Sequence, residues 1–189
     1  MPIGGPDLLS QLQKMKKIIT FGGSSSKSSI NKQLAIYAAN LFQNATVEIL
    51  DLNDYEMPFF SVDKEKENGI HKLAQDFYAK IGSADFIVLS MAEHNGAYSS
   101  AFKNTLDWAS RINNKTFQQK PMLLLATSPG ARGGASVLDI AAKRFPLQGA
   151  EVKGTFSLPA FNENFDAVTG IINPELKKQF LDIINAIEI

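Results

Sequence analysis

The feature of this sequence that most constrains its fold is the regular alternation of strand-like and helix-like segments. Short, largely apolar runs predict five strands, at residues 17–21, 46–52, 85–90, 121–127 and 152–156. Apolar residues at helical spacing predict helices around residues 30–41, 70–81, 102–112, 137–145 and 174–187. Because the central strands are apolar throughout, helices must cover both faces of the sheet. The pattern therefore predicts a three-layer, doubly wound α/β fold with a five-stranded parallel sheet.

The number of strands favours the flavodoxin-like order 2-1-3-4-5 over the longer dinucleotide-binding arrangement. A chain of 189 residues fits a single such domain, which we expect to span residues 15–189. Residues 1–14 precede a second methionine, Met15, and are interpreted as a loose extension, an alternative start or an expression-derived addition. Ligands of such sheets bind beyond the carboxyl ends of the strands. The site is therefore expected in the loops after strands one, three and four.

Charge and cysteine content exclude several classes of function. Nineteen Lys and Arg residues balance nineteen Asp and Glu residues, so we expect neither nucleic acid nor a membrane surface as a partner. The absence of cysteine excludes a disulfide scaffold, a thiolate nucleophile, an iron–sulfur cluster and a zinc ribbon, and it fits a cytoplasmic location. No apolar run approaches the roughly 18 residues of a membrane helix, and the N-terminus resembles no secretory signal.

The first of the three loops, residues 23–31, carries five serines ahead of a predicted helix. The start of a helix exposes unpaired backbone N–H groups and the positive end of the helix dipole, so this loop predicts a phosphate site. The alternative is a serine-rich helix cap without a ligand. The loop matches neither the GxxxxGK[ST] pattern of nucleotide hydrolases nor GxGxxG.

The second loop, residues 91–100, places a polar cluster directly after a buried strand. Backbone amides and Asn95 could pair with the edge of a planar heterocycle, while His94 and Tyr98 could present flat faces to it. His94 alone could equally be an ordinary exposed loop residue. In the following helix, we expect Trp108 to pack in the core rather than to contact a ligand.

Two further segments have simpler interpretations. Lys103, Asn104 and Asp107 could be helix surface, with Asn104 or Asp107 tying a loop down. Phe59 and Phe60 are expected to pack locally at a turn; the alternative is that they line the site from a neighbouring subunit together with Phe161. The third loop, residues 127–135, contains three glycines that allow the backbone to approach a ligand closely, although alone it could be only a flexible turn.

Together and in this order, the three loops resemble those of the NADPH-dependent FMN reductase family, which includes azoreductases, quinone reductases and chromate-reducing flavoproteins. The family reads approximately GSxRxxSxN in the first loop, PEYNxxxxxxLKNxxDW in the second, and S(P/T)G followed by Gly-Gly in the third. The residues here that match these patterns are Ser24, Ser29, Asn31, Glu93, Asn95, Lys103, Asn104, Asp107, Trp108, Ser128, Gly130, Gly133 and Gly134. Departures from the family include Ser26 in place of Arg, Ala92 in place of Pro and His94 in place of Tyr.

The resemblance implies an FMN-dependent NAD(P)H oxidoreductase in which NADPH or NADH reduces FMN, and a quinone, azo, nitro or metal-oxyanion acceptor reoxidises it. It implies no catalytic side chain, no metal site, and assembly as a homodimer or homotetramer. The residues implied in FMN binding are Ser24, Ser26, Ser29, Ile30, Asn31, Ala92, Glu93, His94, Asn95, Gly96, Tyr98, Ser128, Pro129, Gly130 and Gly133. Two alternatives stay open, namely a flavodoxin-type electron carrier or flavin-binding sensor, and a protein that has kept the fold but lost FMN through the change at Ser26.

Overall fold

The computed structural model describes residues 15–189, and the extension predicted at residues 1–14 lies outside them. In chain order, the elements are β1 (Lys16–Gly22), α1 (Ile30–Ala39), β2 (Ala45–Ile49), α2 (Val62–Asn68), α3 (Lys72–Gly82), β3 (Phe86–Met91), β4 (Glu93–His94), β5 (Ala97–Tyr98), α4 (Ser100–Ala109), β6 (Lys120–Thr127), α5 (Ala135–Arg144), β7 (Ala150–Leu158), α6 (Phe161–Asn164), β8 (Phe165–Asp166), β9 (Gly170–Ile171) and α7 (Pro174–Asn185). Two short 3-10 turns, Leu52–Tyr55 and Phe145–Gln148, complete the framework.

Five parallel strands form one sheet in the order β2-β1-β3-β6-β7. Counted among the sheet strands alone, this is the predicted order 2-1-3-4-5, which is confirmed. Every residue of the central strand β3 is buried. The order reverses between β1 and β3, so the carboxyl ends of these strands open the crevice where ligands of such sheets bind.

Helices cover both faces of the sheet because alternate residues of each strand point to opposite sides. On one face, α1 and α7 pack on a cluster that includes Ile18 and Val88. On the other face, α3, α4 and α5 pack on a cluster that includes Ile19 and Leu89. None of the helices within residues 15–189 is long and apolar enough to span a bilayer.

The structure differs from the predicted elements in several places: β7 is longer than the predicted strand 152–156, and α6, β8 and β9 were not predicted. The predicted strand 46–52 ends at Ile49, since the Asp51 carboxylate accepts a hydrogen bond from Asn53 N (2.9 Å) and begins a 3-10 turn. Helix α2 was not predicted, because its sequence VDKEKEN buries no residue and so shows no apolar period. The second loop contains a short antiparallel hairpin, β4–β5.

The KNxxDW segment of α4 holds a neighbouring loop in place. Asn104 accepts a hydrogen bond from Phe60 N (2.9 Å) and donates to Met57 O (3.0 Å), and Trp108 Nε1 donates to Pro58 O (2.8 Å). Trp108 is buried, which confirms the core packing predicted for it. Phe60 packs edge-on against the indole, as expected, whereas Phe59 is 72% exposed and does not pack locally.

Candidate functional site

The loops after β1, β3 and β6 meet at the carboxyl edge of the sheet and form a shallow pocket of about 240 Å³. Its lining residues come from all three loops: Ser24, Ser26, Ser28, Ser29, Ile30, Asn31, Ala92, Glu93, His94, Thr127, Ser128 and Pro129. The predicted strand order thus brings together three segments that are about 60 and 30 residues apart in sequence. We call this cavity the three-loop pocket.

The serine loop begins α1 and leaves backbone donors free for a ligand. Ser29 is the N-cap of α1, and its hydroxyl oxygen accepts a hydrogen bond from Lys32 N (3.2 Å). The N–H groups of Ile30 and Asn31, the first two helical residues, have no recorded partner within residues 15–189. The first turn of α1 also carries no acidic residue. These donors and the helix dipole would stabilise an anion in the pocket.

Asn31 anchors the start of α1 to the sheet. Its side-chain oxygen accepts hydrogen bonds from Ser90 Oγ (2.7 Å) and Thr127 N (3.0 Å), while its amide nitrogen donates to Thr127 O (3.1 Å). The side chain is 3% exposed. Asn31 therefore fixes the serine loop relative to the ends of β3 and β6, and its side-chain oxygen is already engaged by the protein.

The β4–β5 hairpin sends neighbouring side chains in opposite directions. Its two-residue turn, Asn95–Gly96, has φ of 52° and 77°, which are typical of a tight hairpin turn. Glu93 pairs with Tyr98, and His94 pairs with Ala97, so the two pairs occupy opposite faces of the hairpin. His94 is exposed and lines the pocket, and Tyr98 on the opposite face packs against Phe102 and Phe145. Glu93 also borders the pocket, but its carboxylate reaches the backbone of α5.

Tyr98 lies outside the three-loop pocket. Its ring packs edge-on against Phe102 at a centroid distance of 5.5 Å and lies 5.8 Å from the ring of Phe145. The hydroxyl group is buried without a hydrogen-bond partner among residues 15–189. Burial raises the pKa of Tyr98 to about 12, with a smaller opposing effect of the nearby Arg144 guanidinium. The structure therefore gives Tyr98 a packing role and does not place its ring beside the pocket.

Glu93 connects the second loop to the third. Its Oε2 atom accepts a hydrogen bond from Val137 N (3.0 Å) in the first turn of α5. The N-cap of this helix is Gly134, which has φ of 75° and no side chain with which to cap. The Glu93 carboxylate thus serves as the cap of α5 and offsets the positive end of its dipole.

Ten of the fifteen predicted residues line the pocket, and five do not. The ten are Ser24, Ser26, Ser29, Ile30, Asn31, Ala92, Glu93, His94, Ser128 and Pro129, and the five are Asn95, Gly96, Tyr98, Gly130 and Gly133. Sequence reasoning missed Ser28 and Thr127, which also line it. Both residues lie inside the loops described above, so a prediction that included every residue of each loop would have contained them.

The pocket contains hydroxyl groups and backbone donors but, within residues 15–189, no lysine or arginine lines it. Lys32, in the first turn of α1, is engaged by Asp51, with Nζ and Oδ2 2.5 Å apart. Any anion bound here would therefore be held by N–H groups, serine hydroxyls and the α1 dipole rather than by a cationic side chain.

The sheet order defines the chain as a flavodoxin-like protein, and its three-loop pocket lies at the strand-order reversal. The sequence model of the NADPH-dependent FMN reductase family matches residues 16–163, and the chain belongs to this family.

Relatives of known sequence match different lengths of the chain. The quinone reductase of Escherichia coli K12 is 30% identical over 124 residues, which are 63% of this chain and 63% of that enzyme. The NADPH:quinone oxidoreductase of Arabidopsis thaliana is 25% identical over 189 residues, covering 96% of this chain and 95% of that enzyme. A protein of Mycoplasma pneumoniae described as uncharacterized is 29% identical over 148 residues, covering 76% and 87% respectively.

Solved structures share the fold at lower identity. The NAD(P)H:acceptor flavoenzyme FerB of Paracoccus denitrificans superposes with a TM-score of 0.71 at 21% identity, covering 90% of this chain and 94% of that one. An FMN-dependent NADH-azoreductase of Bacillus anthracis, solved in complex with FMN, superposes with a TM-score of 0.58 at 15% identity, covering 91% and 97%. At these identities the likeness establishes the architecture.

Proposed function

We propose that this protein is an FMN-dependent NAD(P)H oxidoreductase that reduces a small-molecule acceptor of the quinone, azo, nitro or metal-oxyanion class. The observation that carries the proposal is the open start of α1, where free N–H groups and serine hydroxyls face the three-loop pocket. Membership of the FMN reductase family and the names of the quinone-reducing relatives support the same conclusion.

The residues of the serine loop fit a phosphate group. The hydroxyl groups of Ser24, Ser26 and Ser29 and the N–H groups of Ile30 and Asn31 would hold the phosphate of FMN. The Ser29 oxygen already accepts from Lys32 N, so its own hydrogen is available to donate to a phosphate oxygen. Ser26 replaces the arginine that is usual in the family, and binding would rely on these neutral donors.

The other two loops supply the walls of the site. His94 on the exposed face of the hairpin and the segment Ser128–Pro129 border the pocket from opposite loops and would flank the part of FMN that lies beyond the phosphate. When bound, FMN supplies the two-electron chemistry, accepting hydride from NAD(P)H and passing it to the acceptor. The protein binds and orients the cofactor, and we assign no side chain as a general acid or base.

The proposal is tested by loading purified protein with FMN and following NADPH or NADH oxidation with a quinone present. Turnover without any protein partner is expected, and it would separate an enzyme from a flavodoxin-type carrier, which a separate reductase must reduce. A protein that retains no FMN, or that oxidises no nicotinamide, would contradict the proposal.

We also propose a homodimer or homotetramer in the cytoplasm. Assembly is what the family resemblance implies, and a contact between copies would bury exposed apolar side chains such as Phe59 (72% exposed) or Leu147 (63%). The absence of cysteine supports a reducing compartment. Sedimentation equilibrium at micromolar concentration tests the assembly, and a monomeric mass would contradict it.

A further inference from the structure

The first turn of α5 cannot be capped by its own sequence. A Cβ atom at Gly134 would lie 3.0 Å from Ala126 Cβ, and its φ of 75° disfavours any residue with a side chain. At Gly133, a Cβ atom would lie 2.5 Å from Ser157 Oγ and 2.8 Å from the carbonyl of Leu158. No serine, threonine or aspartate could therefore replace these glycines without strain, and the cap must come from another segment.

The other long helices do not share this arrangement. Among helices of eight or more residues within 15–189, the starts of α1, α3, α4 and α7 are capped by the residue directly before them: Ser29, His71, Ser99 and Asn173. The cap of α5 comes from Glu93, 44 residues earlier in the chain. This bond joins the hairpin to the helix that follows the glycine-rich third loop.

We propose that Glu93 is a positioning residue that sets the spacing between the hairpin and the third loop, and thereby the fit of the FMN bound between them. Glu93 directly precedes His94, and α5 directly follows the loop that contains Ser128, so the bond fixes both walls of the three-loop pocket. The inference rests on the proposed function, since it concerns how well FMN is held.

The part of Glu93 that matters for positioning is its acceptor oxygen. Glu93→Leu removes the acceptor, whereas Glu93→Gln keeps a carbonyl oxygen that can accept from Val137 N. If Glu93 acts by positioning, Glu93→Gln should therefore keep the FMN affinity and the Val137 protection that Glu93→Leu loses. Asn173→Ala is the matched control, because it removes the cap of α7, whose oxygen accepts from Glu175 N and Leu176 N, without touching a residue that lines the pocket.

The experiment measures two quantities in each variant: hydrogen exchange of the Val137 amide in flavin-free protein, and the dissociation constant of FMN by flavin fluorescence. In Glu93→Leu we expect faster exchange at Val137 and an FMN dissociation constant raised by up to about tenfold, the equivalent of one lost cap. Glu93→Gln should stay near wild type in both. Asn173→Ala should lower the melting temperature and leave FMN binding unchanged.

The outcomes distinguish the inference from the function on which it rests. If wild type binds FMN and Glu93→Leu binds it equally well, the positioning role is overturned and the function stands. The same holds if Val137 exchange does not change in Glu93→Leu, because the cap would then be absent in solution. If wild type itself fails to bind FMN, the proposed function is overturned together with the inference.

Discussion

The first and third loops each lead into a helix, and the two helix starts differ in what neutralises the positive end of the helix dipole. The start of α1 lines the three-loop pocket, and α5 begins just beyond the third loop. The start of α1 is capped by the adjacent Ser29, and the N–H groups of Ile30 and Asn31 have no partner among residues 15–189. The start of α5 is closed by the carboxylate of Glu93. The Glu93 carboxylate thus neutralises the positive end of the α5 dipole, whereas the positive end of the α1 dipole is left for a ligand. This difference explains why an incoming phosphate would bind at α1 rather than at α5.

The largest effect on stability is expected from a substitution of Asn31, which anchors the start of α1. Asn31→Leu would leave the Thr127 N–H and carbonyl groups and the Ser90 hydroxyl buried without their partner. We expect a loss of about 4 kcal/mol in the free energy of unfolding, measured by urea denaturation. The control is Asn40→Leu, because Asn40 is exposed and its side chain bonds only within the helix end. Equal stability of the two variants would contradict the anchoring role.

The second substitution places a carboxylate at the start of α1, as Glu93 does at the start of α5. Ser29→Asp keeps a good N-cap but places a carboxylate where the phosphate is expected. The melting temperature should stay close to that of wild type, while FMN affinity should fall by about 100-fold through charge repulsion. Ser29→Ala, which loses the cap without adding charge, should cost about 1 kcal/mol of stability. Unchanged FMN binding in Ser29→Asp would place the phosphate elsewhere.

A third substitution asks whether α5 can be capped locally. Gly134→Ser would supply a cap hydroxyl, but positive φ and the contact with Ala126 should lower the unfolding free energy by about 2 kcal/mol. Gly96→Ser is the control, since Gly96 in the hairpin turn also has positive φ (77°) but has nothing within 4 Å of a Cβ atom. It should cost about 1 kcal/mol. A Gly134→Ser variant more stable than wild type would show that α5 can be capped from its own sequence.

The smallest effect concerns the hairpin face opposite His94. Tyr98→Phe removes a buried hydroxyl that has no hydrogen-bond partner in the part of the chain that the structure describes, so stability should stay the same or rise by up to about 1 kcal/mol. Burial raises the Tyr98 pKa to about 12, so above about pH 10 the unfolded chain loses this proton first and wild-type stability declines. The phenylalanine variant should decline less between about pH 9 and pH 11 in urea midpoints. Parallel declines would show that the hydroxyl is solvated.

Much of this architecture could be predicted from the sequence, because local patterns encode it. Apolar runs gave the five sheet strands, and the five serines marked the open helix start. The Glu93–Val137 bond could not be predicted, since it joins segments 44 residues apart and no local signal records it. The direction of the Tyr98 side chain was also not predicted. It depends on the pairing register of the β4–β5 hairpin, and the sequence pattern indicated only a loop there.

The central claim is that the start of α1 holds the phosphate of FMN, and comparing FMN with riboflavin tests it most directly. Riboflavin carries the same ring and side chain without the phosphate. If serine hydroxyls and the free N–H groups bind that phosphate, riboflavin should bind at least about 100-fold more weakly than FMN in titrations followed by flavin fluorescence. Equal dissociation constants for the two flavins would contradict the claim.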